Sequence, residues 1–174
     1  LSAKLAARIM EENKQAKPTL VSTESQGVNR RDDLAYYSKL LNIPKLNYRI
    51  DHNCKSFTSI CEGQKIVDLS LIAEESKYLV QNVREQLGAT KVTTVLCLPS
   101  GSSRQLINSQ IDAFKDFQPI IAFTKVDECR LYARELCVLA SKNVKLGFMT
   151  GSKTILRSLA LSESNVLATH LDAY

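Results

Sequence analysis

Glycine and proline are scarce, six and four in a chain of 174 residues, about half their usual share. That shortage leaves few places for a glycine-rich phosphate loop. No stretch approaches the roughly 18 consecutive apolar residues of a membrane-spanning helix, and no secretory leader is legible. The five cysteines, Cys54, Cys61, Cys97, Cys129 and Cys137, form no C-x-x-C pair and are odd in number. That pattern argues against a disulfide scaffold or a zinc site. They read instead as small core hydrophobes of a reduced, cytoplasmic protein. His52 and His170 stand far apart and no G-x-S-x-G elbow occurs, so hydrolase chemistry has no footing. The net charge of +5 comes from scattered Lys and Arg. It gives a mild pull toward anions, and no nucleic-acid partner is expected.

What is present is a globular composition, 44% apolar and 24% charged, which excludes disordered and fibrous classes. Short apolar runs alternate with amphipathic stretches, the pattern of β-α units around a parallel sheet. Strands are predicted at Pro18–Ser22, Leu46–Ile50, Lys65–Leu69, Val92–Leu98, Pro119–Thr124 and Val144–Met149. The runs from Val92 and from Ile120 are nearly continuous in apolar or β-branched residues, which predicts strands covered on both faces. Helices are predicted at Ala3–Asn13, Arg30–Leu41, Glu74–Leu87 (closed by Gly88), Arg104–Phe117, Glu128–Lys142 and Thr154–Asp172. In the third of these, Tyr78, Leu79 and Val83 form the apolar stripe. No repeat, low-complexity tract or linker interrupts the series, so residues 1–174 are expected to form one domain. The chain opens at Leu1, without Met and inside a helical pattern, which predicts an N-terminally truncated fragment.

In such sheets ligands bind beyond the carboxyl ends of the strands. Four loops there are candidates: Thr23–Arg30, Asp68–Ile72, Pro99–Ser103 and Thr124–Glu128. Thr124-Lys125-Val126-Asp127 is the most informative. A carboxylate after a buried strand can accept both the ring N–H and the exocyclic amine of guanine, a pair of donors that adenine does not present. The Lys stem can lie along the face of the base. The competing reading makes Asp127 a helix N-cap and Lys125 a solvated side chain. Pro99-Ser100-Gly101-Ser102-Ser103 reads most simply as the cap of the helix at Arg104. Arg30-Arg31-Asp32-Asp33 reads as a solvated helix start, and Tyr36-Tyr37 as half core, half surface.

Several segments carry a resemblance. Ala3-Lys4-Leu5-Ala6-Ala7-Arg8, Ile43-Pro44 at 21 residues beyond Thr23, Phe123-Thr124-Lys125-Val126-Asp127-Glu128 and Gly147-Phe148-Met149-Thr150 occur in order along nearly the whole chain. Together they resemble the GTPase domain of the signal-recognition-particle class, most of all the flagellum-placement FlhF family. The resemblance implies an α/β fold of the P-loop NTPase type: a parallel sheet flanked by helices, here lacking its first strand and phosphate loop. It implies a guanine site at Thr124, Lys125 and Asp127, with Lys4 near it, and magnesium and phosphate positions at Glu24 and Asp68.

The departures are as telling. The family's G-x-x-x-x-G-K-T would lie before Leu1. Its D-T-Y-R segment reads Glu24-Ser25-Gln26-Gly27 here, without the Arg, and the Gln of its E-Q-L reads Asp33. Its D-T-A-G loop reads Asp68-Leu69-Ser70-Leu71, with Leu where the backbone must approach phosphate. Its closing G-Q-x-V-P-E-D segment reads Ser152-Lys153-Thr154-Ile155-Leu156-Arg157-Ser158. Gly147 to Thr154 mimics a phosphate loop, but Ser152 replaces the second Gly and only 20 residues follow, so a strand, a turn and a helix start are expected instead. Phosphate cradle, water-facing loop and charge-stabilising Arg are thus missing or altered. The expectation is a pseudo-GTPase with no catalytic residue and no metal site of its own. It would bind GTP and magnesium weakly or not at all, and act through a protein partner of the flagellar or targeting machinery. Its place would be the cytoplasm, peripherally at the inner face of the cell membrane. The alternative is a divergent working GTPase whose phosphate loop lies upstream.

Overall fold

The computed structural model describes residues 1–24, 33–49, 63–152, 154–156 and 158–172. Contacts divide the chain into two compact units, Ser2–Val92 and Thr93–Tyr174, the latter with Leu1.

The first unit contains α1 (Ser2–Glu12), β1 (Thr19–Glu24), α2 (Asp33–Leu41), β2 (Lys45–Arg49), β3 (Lys65–Asp68) and α3 (Ala73–Leu87). Its three strands are parallel in the order β2-β1-β3, with Leu20 opposite both Lys45 and Ile66. The two-residue period of β1 sorts its side chains between two cores. Leu20 packs with Ala6, Met10, Leu34 and Leu41, from α1 and α2. Val21 packs with Leu79 and Val83 of α3, and with Tyr48. Both are fully buried, and each such side chain stabilises the unit by about 1.5–3 kcal/mol. Gly88 closes α3 at φ +89, its N–H bonded to the Arg84 carbonyl. The stripe expected on α3 holds for Leu79 and Val83 but not for Tyr78, which is exposed.

The second unit contains β4 (Val95–Pro99), α4 (Arg104–Phe114), β5 (Ile120–Thr124), α5 (Ala133–Ser141), β6 (Leu146–Thr150), β7 (Ala160–Leu161) and α6 (Ser164–Asp172). The sheet order is β4-β5-β6-β7, parallel except for β7 against β6. Phe123 and Ile121 of β5, both fully buried, centre a core with Ile107 and Ile111 of α4 and Val138 and Leu139 of α5. Ser103 caps α4, its hydroxyl accepting the Leu106 N–H at 3.2 Å. That is the capping role expected of its loop.

Several expectations are corrected. β4 stands at an edge of the described sheet, with Cys97 and Pro99 exposed; its apolar composition had implied cover on both faces. Cys97 and Cys137 are exposed and Cys129 is half-buried, so these three are not core residues, while Cys54 and Cys61 lie outside the described residues. The strand β7 was not foreseen, and α6 starts at Ser164 rather than Thr154. Gly147 lies inside β6 at a register shift against β5. A side chain there would strike Ile120, and the glycine opens no loop. The phosphate-loop mimic therefore fails on its first residue.

Candidate functional site

At the carboxyl end of β5 the chain makes a tight turn. Lys125 takes a left-handed backbone at φ +58, a conformation costly for a non-glycine residue and a frequent mark of functional loops. Its carbonyl accepts the N–H groups of Glu128 and Cys129, each at 3.0 Å, and the Val126 N–H reaches the Thr150 carbonyl at 3.3 Å. Val126 packs on the core, while Lys125 and Asp127 on either side of it are exposed. The Lys125 ammonium pairs with Glu128 at 3.3 Å. Among the described residues nothing donates to the Asp127 carboxylate, which is left open to a ligand's donors.

Two neighbouring loops hold this turn. Thr124 lies opposite Pro99 and Thr150 in register, its carbonyl accepting the Ser100 N–H at 2.8 Å. Gly151, directly after β6, lies so close that a Cβ would fall 2.5 Å from the Asp127 amide nitrogen and 3.0 Å from its Oδ1. Glycine is required there by close approach, and it forms one wall beside the carboxylate. The helix-cap reading of Asp127 is excluded, because α5 starts at Ala133 with Tyr132 as its N-cap. Asp127 is five residues too early. An exposed, unpaired carboxylate on a hydrogen-bonded turn can receive two parallel donors from a base edge, and Lys125 leaves the same turn.

Sequence reasoning missed Glu135 in this region. Its signal, Glu three residues after an N-cap, was masked by a tyrosine in the cap position, where Ser or Thr would announce a capping box.

The other predicted positions lie in the first unit. Asp68 ends β3. Its Oδ2 accepts the Ser2 hydroxyl at 3.0 Å and its Oδ1 the Ser70 hydroxyl at 3.3 Å. Its carbonyl accepts the Thr23 hydroxyl at 2.8 Å. Leu69 and Leu71 of the same loop pack on the core around Val21 and Leu79. Magnesium asks for carboxylate oxygens free to coordinate it. Each Asp68 oxygen accepts one hydroxyl hydrogen bond and keeps a second lone pair, with which it can hold the ion or one of its waters. Among the described residues no group of three His, Cys, Asp or Glu side chains suited to a metal occurs. Glu24 ends β1, its side chain outside the described residues, as are Ser25 to Asp32 with Arg30 and Arg31, and also His52, Lys153 and Arg157. Lys4 stands on α1 of the first unit, whereas Thr124, Lys125 and Asp127 share the second. So Thr124, Lys125 and Asp127 are gathered within the second unit, and Asp68 with its hydroxyl partners within the first.

No protein-family model matches the chain, and no curated protein matches it in sequence. Its fold is that of the P-loop GTPase domains of the signal-recognition-particle type. In particular it is similar to FlhF. FlhF complexed with GTP and Mg2+ matches with a TM-score of 0.69 and 19% identity over 92% of this chain. FlhF complexed with GMPPNP and Mg2+ gives 0.72 and 19% over 97%. The signal recognition particle receptor FtsY from Elizabethkingia anophelis, in complex with GDP, gives 0.64 and 14% over 97%. The chain spans 63%, 67% and 57% of the chains in those three structures respectively.

Proposed function

We propose that the chain is a degenerate guanine-nucleotide module, one that keeps a base-reading turn and acts through protein contacts rather than hydrolysis. The observation that carries this reading is a contrast. The Asp127 carboxylate is exposed and unpartnered on a turn braced by Gly151. The Asp68 carboxylate accepts the Ser2 and Ser70 hydroxyls, and Leu71, half-buried, packs against the core. A loop tied down by leucines cannot bring its backbone up to a γ-phosphate, and no described Arg stands in the position of the charge-stabilising one. Asp127 on the guanine edge and Lys125 along the ring supply two or three contacts. At roughly 1–3 kcal/mol each, offset by the cost of immobilising the ligand, they give affinity no tighter than about millimolar. The partner belongs to the flagellar or targeting machinery, and association with the membrane is peripheral. Among the described residues no helix is long and apolar enough to cross a membrane.

The second reading, a working GTPase completed by an upstream phosphate loop, is favoured by the fold it shares with FlhF, whose solved structures hold GTP or GMPPNP with Mg2+. Calorimetric titration with GMPPNP and magnesium separates the two. The expected result is binding no tighter than millimolar. Micromolar binding abolished by Asp127→Asn would sink the degenerate reading.

A further inference from the structure

Glu135 is one of the largest fully buried side chains in the protein, 1% exposed, although it is a carboxylate. It stands in the first turn of α5. One oxygen, Oε2, accepts the N–H of the N-cap residue Tyr132 at 2.7 Å. The other, Oε1, leaves the helix altogether and accepts the N–H of Gly101 at 2.7 Å, across 34 residues of sequence. A capping glutamate ordinarily serves its own helix only. This one ties together two loops, the one after β4 and the one that runs from Lys125 to the start of α5. No described cation pairs with it, so its burial is compensated by two short charge-assisted hydrogen bonds and the positive end of the α5 dipole.

The two loops so joined are those that hold the base-reading turn. Gly101 sits at φ +80, with no room for a side chain against the Cys129 sulfur. Its neighbour Ser100 donates to the carbonyl of Thr124, the residue before Lys125. Cys129 in turn donates to the Lys125 carbonyl. The chain of contacts from Glu135 to the strained residue Lys125 is therefore short on both sides. We propose that Glu135 is a positioning residue for guanine recognition: its carboxylate bridges Gly101 and Tyr132 and thereby holds the Lys125–Asp127 turn in the conformation that presents Asp127 to the base. The ligand chemistry rests on the function proposed above; the bridge itself does not.

The chemistry demands two acceptors. Both partners are N–H donors, so the isosteric Gln can satisfy only one and must turn its NH2 toward the other. Glu135→Gln keeps the volume, and Glu135→Ala removes the bridge. The test reads amide hydrogen exchange and nucleotide binding by NMR on the whole chain, with GTP and inosine triphosphate as probes. Inosine lacks the exocyclic amine, so the ratio of the two affinities reports how well Asp127 is aimed. In both variants, exchange at Val126, Glu128 and Cys129 should quicken at least tenfold while Ile120 and Ile121 of β5 stay protected. The guanine-over-inosine preference should fall toward one. A purely structural glutamate would lower protection everywhere and weaken both nucleotides alike, and that outcome overturns the proposal. So does unchanged exchange in the turn. If the unaltered protein prefers neither nucleotide, guanine recognition itself fails, and with it the role proposed for Glu135. Exchange in the turn then shows separately whether the bridge holds it.

Discussion

At the scale of single residues, the site depends on where atoms are absent as much as on where they are present. Gly151 leaves the gap into which the Asp127 backbone and carboxylate fit. A methyl group there must displace the Asp127 amide, since 2.5 Å is well inside any tolerated contact. Overpacking of this kind costs about 1–3 kcal/mol. Gly151→Ala is expected to lower the unfolding free energy read from urea denaturation by that amount and to shift the NMR signals of Val126 and Asp127. Unchanged signals at both would show that the turn does not rest on Gly151. The pattern Thr124-Lys125-Val126-Asp127 was legible in sequence because it is local: strand, turn and carboxylate are four consecutive residues. Glu135 was not, because half of its role is a contact with Gly101, and nothing near Glu135 encodes that partner.

At the scale of elements, composition announced the strands and misjudged their surroundings. The apolar run that forms β4 predicted a strand covered on both sides, yet β4 has one described neighbour, β5. Side-chain chemistry reports what packs above and below a strand and says little about how many strands pair along its edges. The short β7 escaped notice for a related reason: two residues carry no period, and Ala160–Leu161 becomes a strand only by pairing with Phe148 and Met149. Helix starts were legible where a side chain makes the cap. Ser103 opens α4 through its own hydroxyl, whereas α5 opens at a tyrosine whose capping partner is the buried Glu135. Ser103→Ala leaves the Leu106 N–H without that acceptor and is expected to cost about 1 kcal/mol. Denaturant unfolding checks this. A cost below a few tenths of a kcal/mol would mean that water replaces the hydroxyl at this exposed position.

At the scale of the whole molecule, the question is whether nucleotide can drive the chain to pair with itself. In the family that it resembles, partners meet across their nucleotide faces. A ligand shifts such an equilibrium only by its difference in affinity for the two states. On the proposed function, with binding no tighter than about millimolar, 1 mM nucleotide contributes only about 0.4 kcal/mol per protomer, too little to assemble a dimer that does not form without it. Tyr36 and Leu40 of α2 are exposed, at 66% and 60%, but single apolar side chains on a surface are ordinary and imply no second copy. The expected outcome is a monomer by sedimentation velocity, with or without GMPPNP and magnesium. A dimer that appears only with nucleotide would mean that the phosphates are bound after all, and it would favour the working GTPase over the degenerate module.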